Sequence, residues 1–219
     1  MMNKYLILKL QGTMQAWGTH TYEDYRPTNL FPTRSGIVGL LGACIGIERE
    51  DIQARQILSS ELVLAVRADK EQGRTLQIIT DYHTVLDARK VDGKARKDAI
   101  LTSREYLCDA EYTIALTLDN PEITINELAQ AVQKPHYTPV LGRKSCPLCR
   151  PLYETEVEAE SLPAALAQVA PRYGTIYSEE PVAGASVLEI RDVPLPSQVR
   201  EFGKRRVYVL GQGGKDVSE

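Results

Sequence analysis

Hydrophobic and polar positions alternate with period two from Tyr5 to Leu10, with Leu6, Leu8 and Leu10 on one side and Tyr5, Ile7 and Lys9 on the other. That spacing predicts an opening strand with one core face. The same period returns over Glu61 to Ala68 (Leu62, Leu64, Val66) and over Tyr112 to Leu118 (Tyr112, Ile114, Leu116, Leu118). Between the first two strands the pattern changes. Ile37 to Ile47 carries no charge on any side, which predicts a helix buried all round, capped by Thr33 or Ser35. Gly36, Gly39, Gly42 and Gly46 recur along one stripe of it. A mid-helix glycine costs roughly 1 kcal/mol against alanine, so the stripe predicts close backbone approach. Ile52 to Ser59 reads as a second short helix. Thr124-x-x-Glu127 is a capping box, opening a helix whose apolar positions are Ile125, Leu128 and Val132 and which Pro135 ends. Ser161 to Ala170 predicts a short alanine-rich helix. Leu152 to Val157, Thr175 to Ser178, Ser186 to Arg191 and Arg206 to Leu210 predict further strands.

Two stretches escape these periods. Gln11 to Pro32 is a long connection containing Trp17, His20, Tyr22 and Tyr25, and connections of that length in compact domains usually carry function. Arg74 to Asp109 predicts an extended hairpin projecting from the body, with a basic tip at Arg89 to Lys97. The order strand, helix, strand, hairpin, strand, helix predicts an α+β fold with a ferredoxin-like core. The nearest thing to a domain boundary is Pro147 to Pro151, dividing residues 1–147 from a β-rich region at 148–219.

The 219 residues, 43% of them hydrophobic, suffice for a proper core, and the net charge of −3 gives no bulk attraction to nucleic acid. The distribution is more informative. From Arg89 to Arg104 six Lys/Arg stand against two Asp, a net of +4, and Arg143-Lys144 and Lys204-Arg205-Arg206 add further basic clusters. No segment has the length or hydropathy of a signal or membrane span, so the chain reads as cytoplasmic.

Arg34 is a cation at the positive end of a helix dipole, with Arg26 close by in sequence. That arrangement makes sense if a phosphate docks there, although a solvent-facing or carboxylate-paired Arg34 fits the residues too. Cys146-Pro-Leu-Cys149 has metal or redox spacing but no second ligand pair, so no metal or cofactor is expected. His20, His83 and His136 are candidate bases for metal-free RNA cleavage, yet lone histidines in polar loops more often hydrogen-bond or stack. Cations interleaved with Trp17, Tyr22, Tyr25, Tyr82, Tyr106, Tyr137 and Tyr208 fit single-stranded nucleic acid better, with rings stacking on bases and cations following the backbone.

The blocks M14-Q-A-W-G18, R26-P-T, F31-P-T-R-S-G-I-V-G-L-L-G-A-C-I-G46, D81-Y-H-T-V-L86, R104-E-Y-L-C-D109, Y137-T-P-V-L-G-R-K-S-C-P147 and I176-Y-S-E-E180 span nearly the whole chain. In that order they resemble the Cas five (CasD) family of type I-E CRISPR Cascade subunits. The resemblance implies a ferredoxin-like (RRM-related) palm, a β-hairpin thumb and a small C-terminal β region. It implies a non-catalytic role in antiviral defence, gripping the 5′ handle of the CRISPR RNA within a ribonucleoprotein complex. The thumb would meet the Cascade backbone subunit, the large PAM-reading subunit would dock nearby, and target DNA would be touched only indirectly. The candidate RNA-binding set is Arg26, Arg34, Ser35, Tyr82, His83, Arg104, Arg143, Lys144, Ser145 and Arg205, with no catalytic residue. A relative in another subtype processes repeat RNA, so a metal-independent endoribonuclease is the alternative.

Overall fold

The computed structural model describes residues 2–19, 24–69, 76–88, 93, 98–119, 123–196 and 201–211. In chain order the strands are β1 (Asn3–Gln11), β2 (Met14–Gln15), β3 (Trp17–Gly18), β4 (Tyr25–Arg26), β5 (Thr28–Asn29), β6 (Leu62–Asp69), β7 (Gln77–Val85), β8 (Ile100–Cys108), β9 (Glu111–Leu118), β10 (Tyr153–Ala159), β11 (Gly174–Ser178), β12 (Ser186–Pro194) and β13 (Phe202–Leu210). The helices are α1 (Arg34–Ile45), α2 (Ile52–Glu61), α3 (Ile125–Gln133) and α4 (Leu162–Ala167). The result is a mixed α/β molecule with few helices, its sheets antiparallel except for the short β4–β8 pairing. Among the described residues no helix is long and apolar enough to cross a membrane.

Seven strands form one sheet in the order β10-β1-β9-β6-β11-β13-β12, every neighbouring pair antiparallel. β1 is buried on both faces, not one. Leu6, Leu8 and Leu10 meet the layer containing α1 and α3, while Tyr5 and Ile7 meet Leu162, Ala165 and Leu166 of α4. Both rows of an alternating strand are apolar when helices cover both sides of a sheet. Lys9, the one charge on the α4 side, is 7% exposed; its ammonium donates to Asp69 Oδ2 at 3.0 Å and to the Ala170 carbonyl at 2.6 Å. The strands after Pro147 do not build a separate sheet, because β10 pairs with β1 and β11 with β6.

α1 starts where the Thr33 hydroxyl accepts from the Gly36 amide, and it stops at Gly46 in the left-handed region. It is not buried all round: Gly39 is exposed, and a side chain there would meet nothing within 4 Å. Gly36 does answer a close approach, since a Cβ on it would lie 2.8 Å from the Trp17 ring. Trp17 is therefore core, fully buried with its indole N–H on Gln15, and unavailable for stacking on a base. The Thr124–Glu127 capping box forms at the start of α3.

Candidate nucleic-acid interface

β7 and β8 make the hairpin, in register from Gln77↔Cys108 to Val85↔Ile100. The basic run expected at its tip, Arg89, Lys90, Lys94, Arg96 and Lys97, lies outside the described residues, as do His20 and Tyr22. β8 is shared. β4 runs parallel to it with Tyr25↔Ser103 and Arg26↔Arg104, and β2 pairs with its far end. Side chains alternate across a strand, so the register sorts the candidates by face. Arg104, its neighbour Arg26, and Asp81, His83 and Tyr106 share one face. Tyr25, Tyr82, Ser103 and Glu105 share the other. Tyr82 and His83, adjacent in sequence, thus project from opposite faces and offer no continuous stacking surface.

On the first face the Arg104 Nε donates to the Thr102 hydroxyl at 3.0 Å. Among the described residues neither Arg26 nor Arg104 meets a carboxylate. Asp81, opposite Arg104 in the ladder, engages His83 Nε2 instead. Arg143 arrives from the 141–146 loop, which is pressed onto the chain at Ala16. Gly142 adopts φ +89°, and a Cβ there would sit 1.8 Å from the Ala16 carbonyl oxygen, so only glycine fits. The Arg143 guanidinium lies 4.5 Å over the Tyr106 ring centroid and donates to the Glu105 carbonyl (2.9 Å) and the Arg26 carbonyl (3.1 Å). Lys144 and Ser145, next in the loop, are exposed.

Arg34 and Arg205 are elsewhere and otherwise engaged. Arg34 is 8% exposed, and its guanidinium pairs with Glu179 and donates to the carbonyls of Ser59 and Leu62. The helix N-terminus beside it holds the Asp192 carboxylate, which accepts from the Arg34 amide at 2.8 Å. Arg205 forks onto the two Asp192 oxygens at 2.6 and 2.8 Å and reaches Glu179 Oε1 at 2.9 Å. Burial alone would lower its pKa, but the Asp192 and Glu179 carboxylates outweigh that and leave it raised. The anion expected at this helix end is thus a side chain of the protein itself. Ser35, half-buried on α1, lies within 3.4 Å of the Thr33 hydroxyl.

The remaining candidates for chemistry are dispersed. The His136 and Tyr137 amides cap the end of α1 through the Cys44 and Ala43 carbonyls, the His136 ring covers Gly46, and the Tyr137 hydroxyl binds Glu48. Cys146 is buried in the core while Cys149 is exposed. Among the described residues no three His, Cys, Asp or Glu gather where a metal ion would sit. Glu105, whose role sequence reasoning missed, accepts from the Tyr25 hydroxyl and, through Oε2, from the Thr28 amide at 3.0 Å. Its position inside R104-E-Y was the available signal, an acid directly after the last cation of the Arg89 to Arg104 run.

Residues 5–208 match the CRISPR-associated protein (Cas5) family. The chain is 47% identical over 225 residues to the CRISPR system Cascade subunit CasD of Escherichia coli (strain K12), with both chains covered in full. A chain of a solved CRISPR RNA-guided surveillance complex is 27% identical with a TM-score of 0.73, covering 94% of this chain and 89% of its own. A crystallised Cas protein is 29% identical with a TM-score of 0.65, covering 94% and 93%.

Proposed function

The chain belongs to the Cas5 family of CRISPR-associated proteins, and from that membership we propose that it is a non-catalytic, RNA-binding subunit of a cytoplasmic Cascade complex, gripping the 5′ handle of the CRISPR RNA. The observation that carries this is the pair Arg26 and Arg104, adjacent in the β4–β8 ladder with no carboxylate partner among the described residues. Protein cations that neutralise backbone phosphates displace the counterions condensed on the RNA, and a cation already neutralised inside the fold is not available to do so. Lys144 extends the same set. Arg34, Ser35 and Arg205 drop out of the proposed contacts, and Arg143 becomes a scaffold for them.

The strand order β10-β1-β9-β6, with α1 and α3 as crossovers on one face, supports reading the core as a ferredoxin-like palm. The β7–β8 hairpin is then the thumb. Its second face carries Ile78, Tyr82 and Leu101 exposed, without a lysine or arginine among the described residues. A face whose one charge among the described residues, Glu105, is taken up by Tyr25 and Thr28 suits the Cascade backbone subunit, and the cationic face suits RNA. The large PAM-reading subunit would dock nearby, and the target would be read by guide pairing.

Metal-free cleavage needs a base beside the 2′-OH and a group to protonate the leaving oxygen. His83 is held against Asp81, His136 packs on the end of α1, and Tyr82 projects away from its neighbour, which favours binding over cleavage. The test is incubation of the purified chain with labelled repeat RNA, in EDTA at neutral pH. The expected outcome is a stoichiometric complex with the RNA intact. A specific product that disappears in His83→Ala or His136→Ala would establish the endoribonuclease alternative. Neither complex nor product would overturn both readings.

A further inference from the structure

Glu105 is out of character next to Arg104, the cation this strand offers to a polyanion in the reading above. Its charge opposes RNA wherever it is felt, so electrostatics alone makes it a liability. Its oxygens, however, do not pair with the free arginines. They reach across to the segment that carries one of them: one oxygen accepts from the Tyr25 hydroxyl and the other from the Thr28 amide, on either side of Arg26.

Arg143 works on the same segment from the opposite face of β8. It lies on the Tyr106 ring and spends its fork on two carbonyls, that of Glu105 and that of Arg26. The far end of the clasped segment is anchored separately, where the buried Thr28 hydroxyl accepts from the Trp17 amide at 2.8 Å and β5 pairs with β3; the stretch around Arg26 has fewer ties. β4 is two residues long, and its ladder to β8 consists of Tyr25↔Ser103 and Arg26↔Arg104, extended by the Ser103 amide on the Asp24 carbonyl at 2.9 Å.

We propose that Glu105 and Arg143 are positioning residues that clasp residues 25–28 onto β8 from its two faces and so hold Arg26 beside Arg104 in the pose an RNA backbone meets. This rests on the RNA-binding reading above and deepens it. Neither residue needs to touch RNA. Their effect is preorganisation: a loop already fixed loses less freedom on binding than one ordered by the ligand.

Charge and clasp give opposite signs, which makes the test sharp. Affinity for a labelled oligoribonucleotide carrying the repeat 5′ handle is measured on the full-length chain across a salt series. Glu105→Gln removes a negative charge and puts an N–H donor where one of the two accepting oxygens stood, exchanging a charge-assisted pair of hydrogen bonds for a weaker neutral set, so binding should weaken by about tenfold. Arg143→Lys keeps the charge and loses the fork, so it should weaken binding as much as Arg143→Ala does. The decisive readout is a double-mutant cycle. In an Arg26→Ala background Glu105→Gln should cost nothing further, which a general loss of stability would not produce. Should Glu105→Gln lower the thermal midpoint substantially, Tyr25→Phe, which deletes one bond and keeps the carboxylate, is carried through the same cycle. Tighter or unchanged binding by Glu105→Gln, or full additivity with Arg26→Ala, overturns the clasp while leaving the RNA reading intact. Unchanged binding by Arg26→Ala and Arg104→Ala themselves overturns the RNA reading of this face, and the clasp with it.

Discussion

Arg34 and Arg205 carry the same guanidinium as Arg26 and Arg104, yet the first pair meets two carboxylates in the interior and the second meets none among the described residues. Around Glu179 and Asp192 two cations face two anions, closing the N-terminus of α1 against β11, β12 and β13. On β4 and β8 two cations stand side by side without counter-charge. The first arrangement stabilises this fold and has nothing left to offer a ligand. The second does little for stability and leaves its charge for a partner. Residue type says nothing about which is which; the location of the nearest carboxylate decides it.

The largest expected effect comes from removing a carboxylate of the buried group. Glu179→Ala leaves buried Arg34 without a carboxylate, takes one of two from Arg205 and orphans the Leu64 amide, and losing one partner of a buried pair costs about 3–5 kcal/mol. At this chain length that is a fall in thermal midpoint of roughly 10 °C, read by calorimetry. A midpoint unchanged within a degree would break the comparison from its interior side. Arg26→Ala with Arg104→Ala should do the reverse. Stability should stay within about 0.5 kcal/mol of wild type, while RNA affinity falls and the slope of log K against log salt flattens by about 1.4, or about 0.7 for each lost single-strand contact. If affinity and slope do not move, this pair is only surface charge.

A thiol on α1 sharpens the contrast. Burial pushes the Cys44 pKa up to about 11, so at pH 8 only about one thiol in a thousand is ionised. Native protein should therefore label at exposed Cys149 long before Cys44. Glu179→Ala should speed labelling of Cys44, and the Arg26/Arg104 variant should not. The sign of the linkage follows from the raised value. The folded state holds this proton more tightly than the unfolded one, so its contribution is complete below about pH 9 and is lost as pH climbs through about 11. Cys44 labelling equally fast in wild type would show that α1 is not sealed. The smallest effect belongs to Lys144→Ala, an exposed single cation on the Arg143 loop. It should lower RNA affinity about twofold to threefold and flatten the slope by about 0.7, with no change in melting.

Much of the secondary structure was written locally. The capping box at Thr124 and Glu127 and the alternation of β9 lie within a few residues of the elements they define, so period and cap sufficed to locate them. Even the divergence of Tyr82 and His83 follows from alternation once β7 is known to be a strand. What local pattern could not supply was the other side of each contact. The second apolar row of β1 looked solvent-facing because its cover, α4, comes about 150 residues later. Gly39 looked buried because an uncharged helix face reads alike whether a neighbour covers it or not. Arg34 read equally well as a phosphate site or as a solvent-facing or carboxylate-paired residue, because Glu179 and Asp192, its actual anions, stand 145 and 158 residues away. Arg26 and Arg104 became neighbours only when β4 ran alongside β8. Periodicity and caps act over a few ångströms of contiguous chain, so the sequence by itself determined the elements and their faces. The pairing of a charge is settled by whatever the closed chain brings next to it, and that only the tertiary structure decided.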